Sequence, residues 1–261
     1  MTIAASPRET LPGSDLPAGR WHGPIWVSDE PLNEPGRYRD HIAEFDRAKQ
    51  EEPGQPALWP VLVPDDPRFA ANGEDWLDER ERLAPAAHRI EAVDVAETLA
   101  QWWDPFCCTG GVGCLRPYGA NFPALARKSP LRVDPHAEAG NTGSILARRG
   151  TYRLGLVPVL RPADVPAVLG WTGMMKSTDD VAAISAVLRS WEDRFGASLI
   201  VLGFDELELS VAAPPRNQGR ALVVAAEHRS FSVRSFSGQP GNLREYAGGL
   251  VHRRHWRFSW D

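Results

Sequence analysis

The chain has 261 residues, 43% of them hydrophobic and 24% charged, with a formal net charge of −5, the composition of a globular protein that can bury a core as one large domain or two modest ones. The acidic balance argues against a general nucleic-acid binder, and no apolar run approaches the roughly 18 residues of a membrane helix. Three cysteines make no disulfide framework, and the first eight residues lack a secretory pattern, so a cytoplasmic location is expected.

Residues 1–20, rich in Pro, Ser, Gly and Thr, read as a disordered tail. A short strand follows at 24–28. Residues 36–50 have helical spacing, with Tyr38, Ile42 and Phe45 on one side. Residues 57–63 form a second strand, and Pro60 places it at an edge or a bulge. Charged residues 74–83 suggest a helix, and 93–103 a better one with Val95, Leu99, Trp102 and Trp103 on its apolar face. The stretch 105–150 breaks into Gly, Pro, Cys and Arg. It is expected to hold loops with one short helix, and the domain junction. Charge is uneven: residues 29–104 carry 19 acidic and 8 basic side chains, whereas 105–153 carry 2 and 7. The two regions either pair internally or leave an acidic surface for a cationic partner.

The C-terminal part is easier to read. Residues 153–160 form a strand that Pro158 again assigns to an edge. Pro162 can open a short helix over 163–169, before Gly170. Ser177 or Thr178 can cap the next helix, in which Val181, Ile184, Leu188, Trp191 and Phe195 recur at steps of three and four until Gly196 stops it. Two strands follow at 199–204 and 206–212; the second alternates Leu207, Leu209 and Val211 with Glu208 and Ser210, the pattern of a sheet with one wet face. Helices at 218–228 and 243–252 and a strand at 255–260 complete a β-α-α-β-β-α-α-β order.

Four separated strings in this region carry a resemblance. They are Ser190-Trp191-Glu192-Asp193-Arg194-Phe195-Gly196-Ala197, Ser210-Val211-Ala212-Ala213-Pro214-Pro215, Ala225-Ala226-Glu227-His228, and Trp256-Arg257-Phe258-Ser259-Trp260-Asp261. Their succession resembles a bacterial family known only as domain of unknown function 4253, and Trp26-Val27-Ser28-Asp29-Glu30-Pro31 resembles a segment found ahead of that domain. The resemblance implies a fold and no activity. In the family, the helix bearing Glu227 and His228 continues into a Phe-Cys-Pro-Asp-like segment. Here Arg229-Ser230-Phe231-Ser232-Val233-Arg234 stands in its place, without the thiol and the carboxylate.

Chemistry-bearing residues are few. Cys107, Cys108 and Cys114, with His136 beyond, lack the spacing of a zinc site. A glycine-rich turn with buried or free thiols is the expectation, and no metal or cofactor is expected. The same glycines match no phosphate-binding fingerprint. Glu227 and His228, near a helix end, could serve as a general acid–base pair or as a structural pair. Trp191, Glu192, Arg194 and Trp260 are candidate binding residues, with Arg189 and Asp193 spaced to pair along the helix. Trp171, Trp191, Trp256 and Trp260 fall at element ends, where large rings close a core. His252-Arg253-Arg254-His255-Trp256-Arg257 is a basic-aromatic patch, set against an acidic total that disfavours nucleic acid.

These readings predict an α+β fold: a mainly antiparallel sheet with helices packed on one face, preceded by a smaller irregular α/β region. The expected divisions are a tail at 1–20, an N-terminal region at 21–130, a linker at 131–152 and the family-like domain at 153–261. The expected function is a non-catalytic interaction module, immunity-type or regulatory, that binds a single protein partner through an acidic or Trp-lined surface, with no nucleic acid and no membrane. The alternative is a small hydrolase- or transferase-like enzyme using Glu227 and His228 as acid and base.

Overall fold

The computed structural model describes residues 16–65, 77–78, 82–104, 111–233 and 242–260. Most of the tail, most of the helix expected at 74–83, and Cys107, Cys108, Arg234 and Asp261 lie outside the described residues.

The first strands are β1 (Gly19–His22) and β2 (Ile25–Pro31), followed by α1 (Gly36–Glu51), which buries Tyr38, His41, Ile42 and Phe45. Then come β3 (Ala57–Pro64) and the short α2 (Val95–Gln101), capped by the Asp94 side chain. Helix α3 (Pro135–Arg149) precedes β4 (Tyr152–Val159), α4 (Val165–Leu169) and α5 (Val181–Phe195). Strands β5 (Ala197–Leu202) and β6 (Glu206–Val211), helices α6 (Gln218–Phe231) and α7 (Leu243–Leu250), and β7 (His255–Ser259) complete the chain. From β4 onward this is the expected element order. The cap of α5 is Asp180, whose carboxylate accepts from the Ala182 and Ala183 amides, while Thr178 Oγ1 accepts from Asp180 itself.

The fold is α+β. The seven strands of the described residues join one open sheet in the order β1-β2-β4-β3-β5-β6-β7, antiparallel throughout except where β3 meets β5. Both proline-bearing strands are therefore interior, contrary to the edge expected from Pro158, and β3 pairs with β4 in unbroken register through Pro60, so neither the edge nor the bulge expected there is found. The ladder explains how they are tolerated. Pairing of β2 with β4 reaches only to Leu156, short of Pro158, and β3 registers with β5 at Leu62 and Val201, beyond Pro60. The Pro60 carbonyl is taken instead by the Tyr38 hydroxyl at 3.1 Å. A proline costs a ladder bond only where a partner strand would have used its N–H.

Helices cover both faces of the sheet, whereas one wet face was expected. On one side α1 and α3 pack against Trp59, whose ring lies 5.0 Å from those of Phe45 and His136. On the other side α5 and α6 pack on Trp256 and Phe258 of β7. The alternate β7 residues, His255 and Arg257, face the α3 side and bond Glu208 and Glu206 at 2.5 Å each. Glu208 and Ser210 are accordingly buried. Alternation in β6 marks a polar face that is covered and charge-neutralised, not one left to water.

Residues 131–152, expected as a linker, are mostly α3. Its buried stripe is Ala139, Gly140, Gly143, Ser144 and Ala147, small residues that bring it close to α1. A Cβ on Gly143 would lie 2.2 Å from Cε1 of the buried Tyr38 ring.

Candidate functional site

Glu227 and His228 are consecutive on α6 and point into different surroundings, both within the core. Glu227 is 0% exposed. The Arg194 guanidinium, one helix away, grips its carboxylate from Nη1 to Oε1 at 2.8 Å and from Nη2 to Oε2 at 2.6 Å. Trp191 Nε1–H donates to Oε2 at 2.7 Å, and the Ala126 amide donates to Oε1 at 2.6 Å. Four donors saturate the two oxygens. Arg194 also donates to the Ala126 carbonyl at 2.9 Å and lies over the Phe195 ring. One carboxylate thus ties α5, α6 and the irregular segment around Ala126 together, the form in which a buried charge is tolerated.

His228 is 1% exposed and sits in an aromatic cage, its ring centroid 4.4 Å from Trp256, 4.8 Å from Phe258 and 5.1 Å from Trp191. Nδ1 shares a hydrogen bond with the Tyr246 hydroxyl of α7 at 3.1 Å, and Nε2 has no partner among the described residues. Burial, with help from the nearby Arg194 and Arg253 charges, pushes its pKa down to about 3. The ring is therefore neutral at physiological pH. The helix C-terminus, which favours a protonated imidazole, is outweighed by desolvation. The two residues share Trp191 as a neighbour, but no hydrogen bond joins them to each other.

The remaining predicted residues are also engaged. Trp191 and Trp260 are core residues, so they provide no surface platform. Trp260 donates to the Phe231 carbonyl at 3.2 Å. Glu192 accepts from Arg161 Nε at 3.0 Å and from the Ala163 amide at 3.3 Å, and burial raises its pKa. Arg189 and Asp193 do not pair along the helix. Arg189 clamps the buried Asp164 at 2.5 and 2.9 Å, and Asp193 takes Arg161 Nη2 at 2.5 Å. Each prefers a partner on the turn before α4, because a bidentate or buried partner outweighs an exposed helical neighbour.

Cys114 is disulfide-bonded, which corrects the expectation of free or buried thiols at that position. Among the described residues, no group of three or more His, Cys, Asp and Glu side chains could hold a metal ion. No helix among them is long and apolar enough to cross a membrane.

Three of the four strings singled out in the sequence meet in this cluster: Trp191 and Arg194 from the first, Glu227 and His228 from the third, Trp256 and Phe258 from the last. The second borders it, with the Val211 amide on Arg254 and the Ala213 amide on Phe195. Residues 153–261 match the family described as Domain of unknown function (DUF4253). No curated protein and no solved structure matches the chain. The DUF4253 segment holds β4 through β7, but the strand between β4 and β5 is β3, from outside it.

One surface feature escaped the sequence reading. A cavity of about 370 Å³ opens beside the second half of α1, with Phe45, Leu58 and Leu156 among its apolar lining. Glu44, Glu51 and Glu52, all exposed, rim it. The spacing of Glu44, Glu51 and Glu52 along α1 was visible in the sequence. The apolar floor beneath them is built by β3 and β4 and was not.

Proposed function

We propose that the protein is a non-catalytic interaction module, of immunity or regulatory type, that holds one protein partner through the acidic groove beside α1. The observation that carries this reading is the saturation of Glu227. A general base must meet a substrate proton within hydrogen-bond reach, and every strong acceptor direction of this carboxylate is already filled inside the core. His228, neutral and enclosed, is no better placed to trade protons. The groups that could carry chemistry are used to hold helices together.

The groove supplies what such a module needs: three carboxylates around an apolar floor. That chemistry suits a segment bearing Lys or Arg around one apolar side chain, which would bury the latter while its charges meet the rim. The test compares the wild type with the triple variant Glu44→Lys, Glu51→Lys, Glu52→Lys in affinity capture from native lysate. The expected result is one stoichiometric protein held by the wild type and lost by the triple variant. A captured protein indifferent to the triple change refutes the groove. Turnover of a small molecule that disappears in Glu227→Gln refutes the non-catalytic reading.

A further inference from the structure

Strand β7 is the end strand of the sheet, and among the described residues no further strand pairs with its outer side. In an antiparallel pair, successive residues turn their N–H and C=O alternately toward the partner and away from it. The Val211 amide bonds the Arg254 carbonyl at one end of the β6–β7 pair, and the Trp260 amide bonds the Asp205 carbonyl at the other. Residues 254, 256, 258 and 260 therefore face β6, and His255, Arg257 and Ser259 face outward. Two outward carbonyls are already used: His255 accepts from Arg253 Nε at 3.1 Å, and Ser259 accepts from Ser232 Oγ at 2.8 Å. Among the described residues, the Arg257 N–H and C=O and the His255 N–H keep no partner.

A groove of about 340 Å³ runs along this edge, walled by α7. Glu245, Tyr246, Gly249 and Leu250 line the helix side, and Trp256 and Arg257 the strand side. Arg253 lies at the same groove, and beyond its bond to the His255 carbonyl it has no carboxylate partner among the described residues. Gly249 leaves room: a Cβ built there meets no atom within 4 Å.

We propose that β7 is a docking edge, onto which an extended, acidic segment of another protein adds as a further strand and lies in the groove against α7. The free N–H and C=O of Arg257 fix its backbone, a side chain of the segment lies in the space over Gly249, and a carboxylate on the incoming segment meets Arg253. This is strand addition in a strand–helix groove, where main-chain bonds give affinity and alternate side chains give selectivity. A second copy of the chain is disfavoured as the occupant, because antiparallel pairing of two β7 edges would set like-charged Arg257 side chains against each other. The surface is separate from the acidic groove, so either can fail without the other.

The probe is a phage-displayed library of random ten-residue peptides, panned against the full chain. Enriched peptides are expected to alternate apolar residues with Asp or Glu. In Arg257→Pro the outward N–H is lost, a change that edge strands tolerate. In Gly249→Leu the groove is filled without touching the strand. Each should weaken an enriched peptide by about tenfold or more, while Arg257→Lys, which keeps backbone and charge, stays within about twofold. Should Arg257→Pro fail to fold by far-UV circular dichroism, Gly249→Leu carries the test alone. Binding should persist in the triple Glu44, Glu51, Glu52 variant. Failure to enrich any peptide, or enriched peptides that bind Gly249→Leu as well as wild type, would overturn the proposal.

Discussion

The carboxylate of Glu227 offers the sharpest test of how this core is held. In Glu227→Gln the shape is kept, but one acceptor oxygen becomes an NH2 group. Of the four donors now served, those of Arg194 Nη2 and Trp191 converge on one oxygen and those of Arg194 Nη1 and Ala126 on the other. Whichever way the amide turns, two donors face an N–H2 and the Arg194 charge is left without a counter-ion. Two lost charge-assisted bonds, at about 1.5–3 kcal/mol each, give about 3–6 kcal/mol. Breaking a buried ion pair by removing one partner costs about 3–5 kcal/mol, in agreement. Against a total stability of about 5–15 kcal/mol this is a large share, equivalent to a fall of roughly 6–20 °C in Tm. Urea unfolding followed by tryptophan fluorescence and circular dichroism measures it. Adding Arg194→Met should recover part of the loss, since both charges are then gone. A Glu227→Gln protein within about 1 kcal/mol of wild type would falsify the structural role assigned to this residue.

Three further outcomes are expected. His228 is held neutral with a pKa near 3, whereas an unfolded histidine titrates near 6.5. Below that value the unfolded chain takes up a proton that the folded chain refuses, so stability is full above about pH 6.5 and falls by about 1.4 kcal/mol per unit as pH drops toward 3. His228→Phe, which fits the aromatic cage, should move the acid-unfolding midpoint to lower pH; coincident midpoints would contradict this. Gly143→Ala drives a methyl into the Tyr38 ring and should cost about 1–3 kcal/mol, while Gly249→Ala, facing open space, should be neutral or stabilising by up to about 1 kcal/mol; equal effects in chemical unfolding would refute the packing argument. With Cys114 in a disulfide, Ellman titration of the denatured, unreduced chain should find one thiol of the three cysteines, and three after reduction.

What could be read in the sequence was what neighbouring residues decide. Helix α5 was legible because Val181, Ile184, Leu188, Trp191 and Phe195 repeat at helical spacing and Gly196 ends the helix with φ of 58°. Strand β5, expected at 199–204, lies at Ala197–Leu202. Helix α3 was foreseen only as one short, unplaced helix within 105–150, since its buried stripe is Ala, Gly and Ser and gives little hydrophobic periodicity. Its start was nevertheless written in Asp134, which caps the Ala137 amide, and Pro135 at the first turn. The prolines misled because their tolerance depends on where a neighbouring strand stops pairing, which no local rule contains. Glu227 was singled out in the sequence beside His228, but its partner Arg194 is 33 positions away. The sequence offers helix-face geometry at such distances only after the packing is known. The two grooves combine β3 with α1, and β7 with α7, and such pairings are set by topology alone.

The insertion of β3 between β4 and β5 has a practical corollary for anyone wishing to isolate the part of the molecule that matches the family. A fragment cut at residue 153 would retain four strands of the sheet and lack the one that bridges β4 to the other three. It would expose three raw edges, both sides of β4 and the β3-facing side of β5, lined with Leu154, Leu156, Val201 and their neighbours, and aggregate instead of dissolving. Supplying residues 57–64 in trans, as a peptide, should rescue such a fragment. The boundary that relatedness draws and the boundary that folding obeys are, in this chain, about a hundred residues apart.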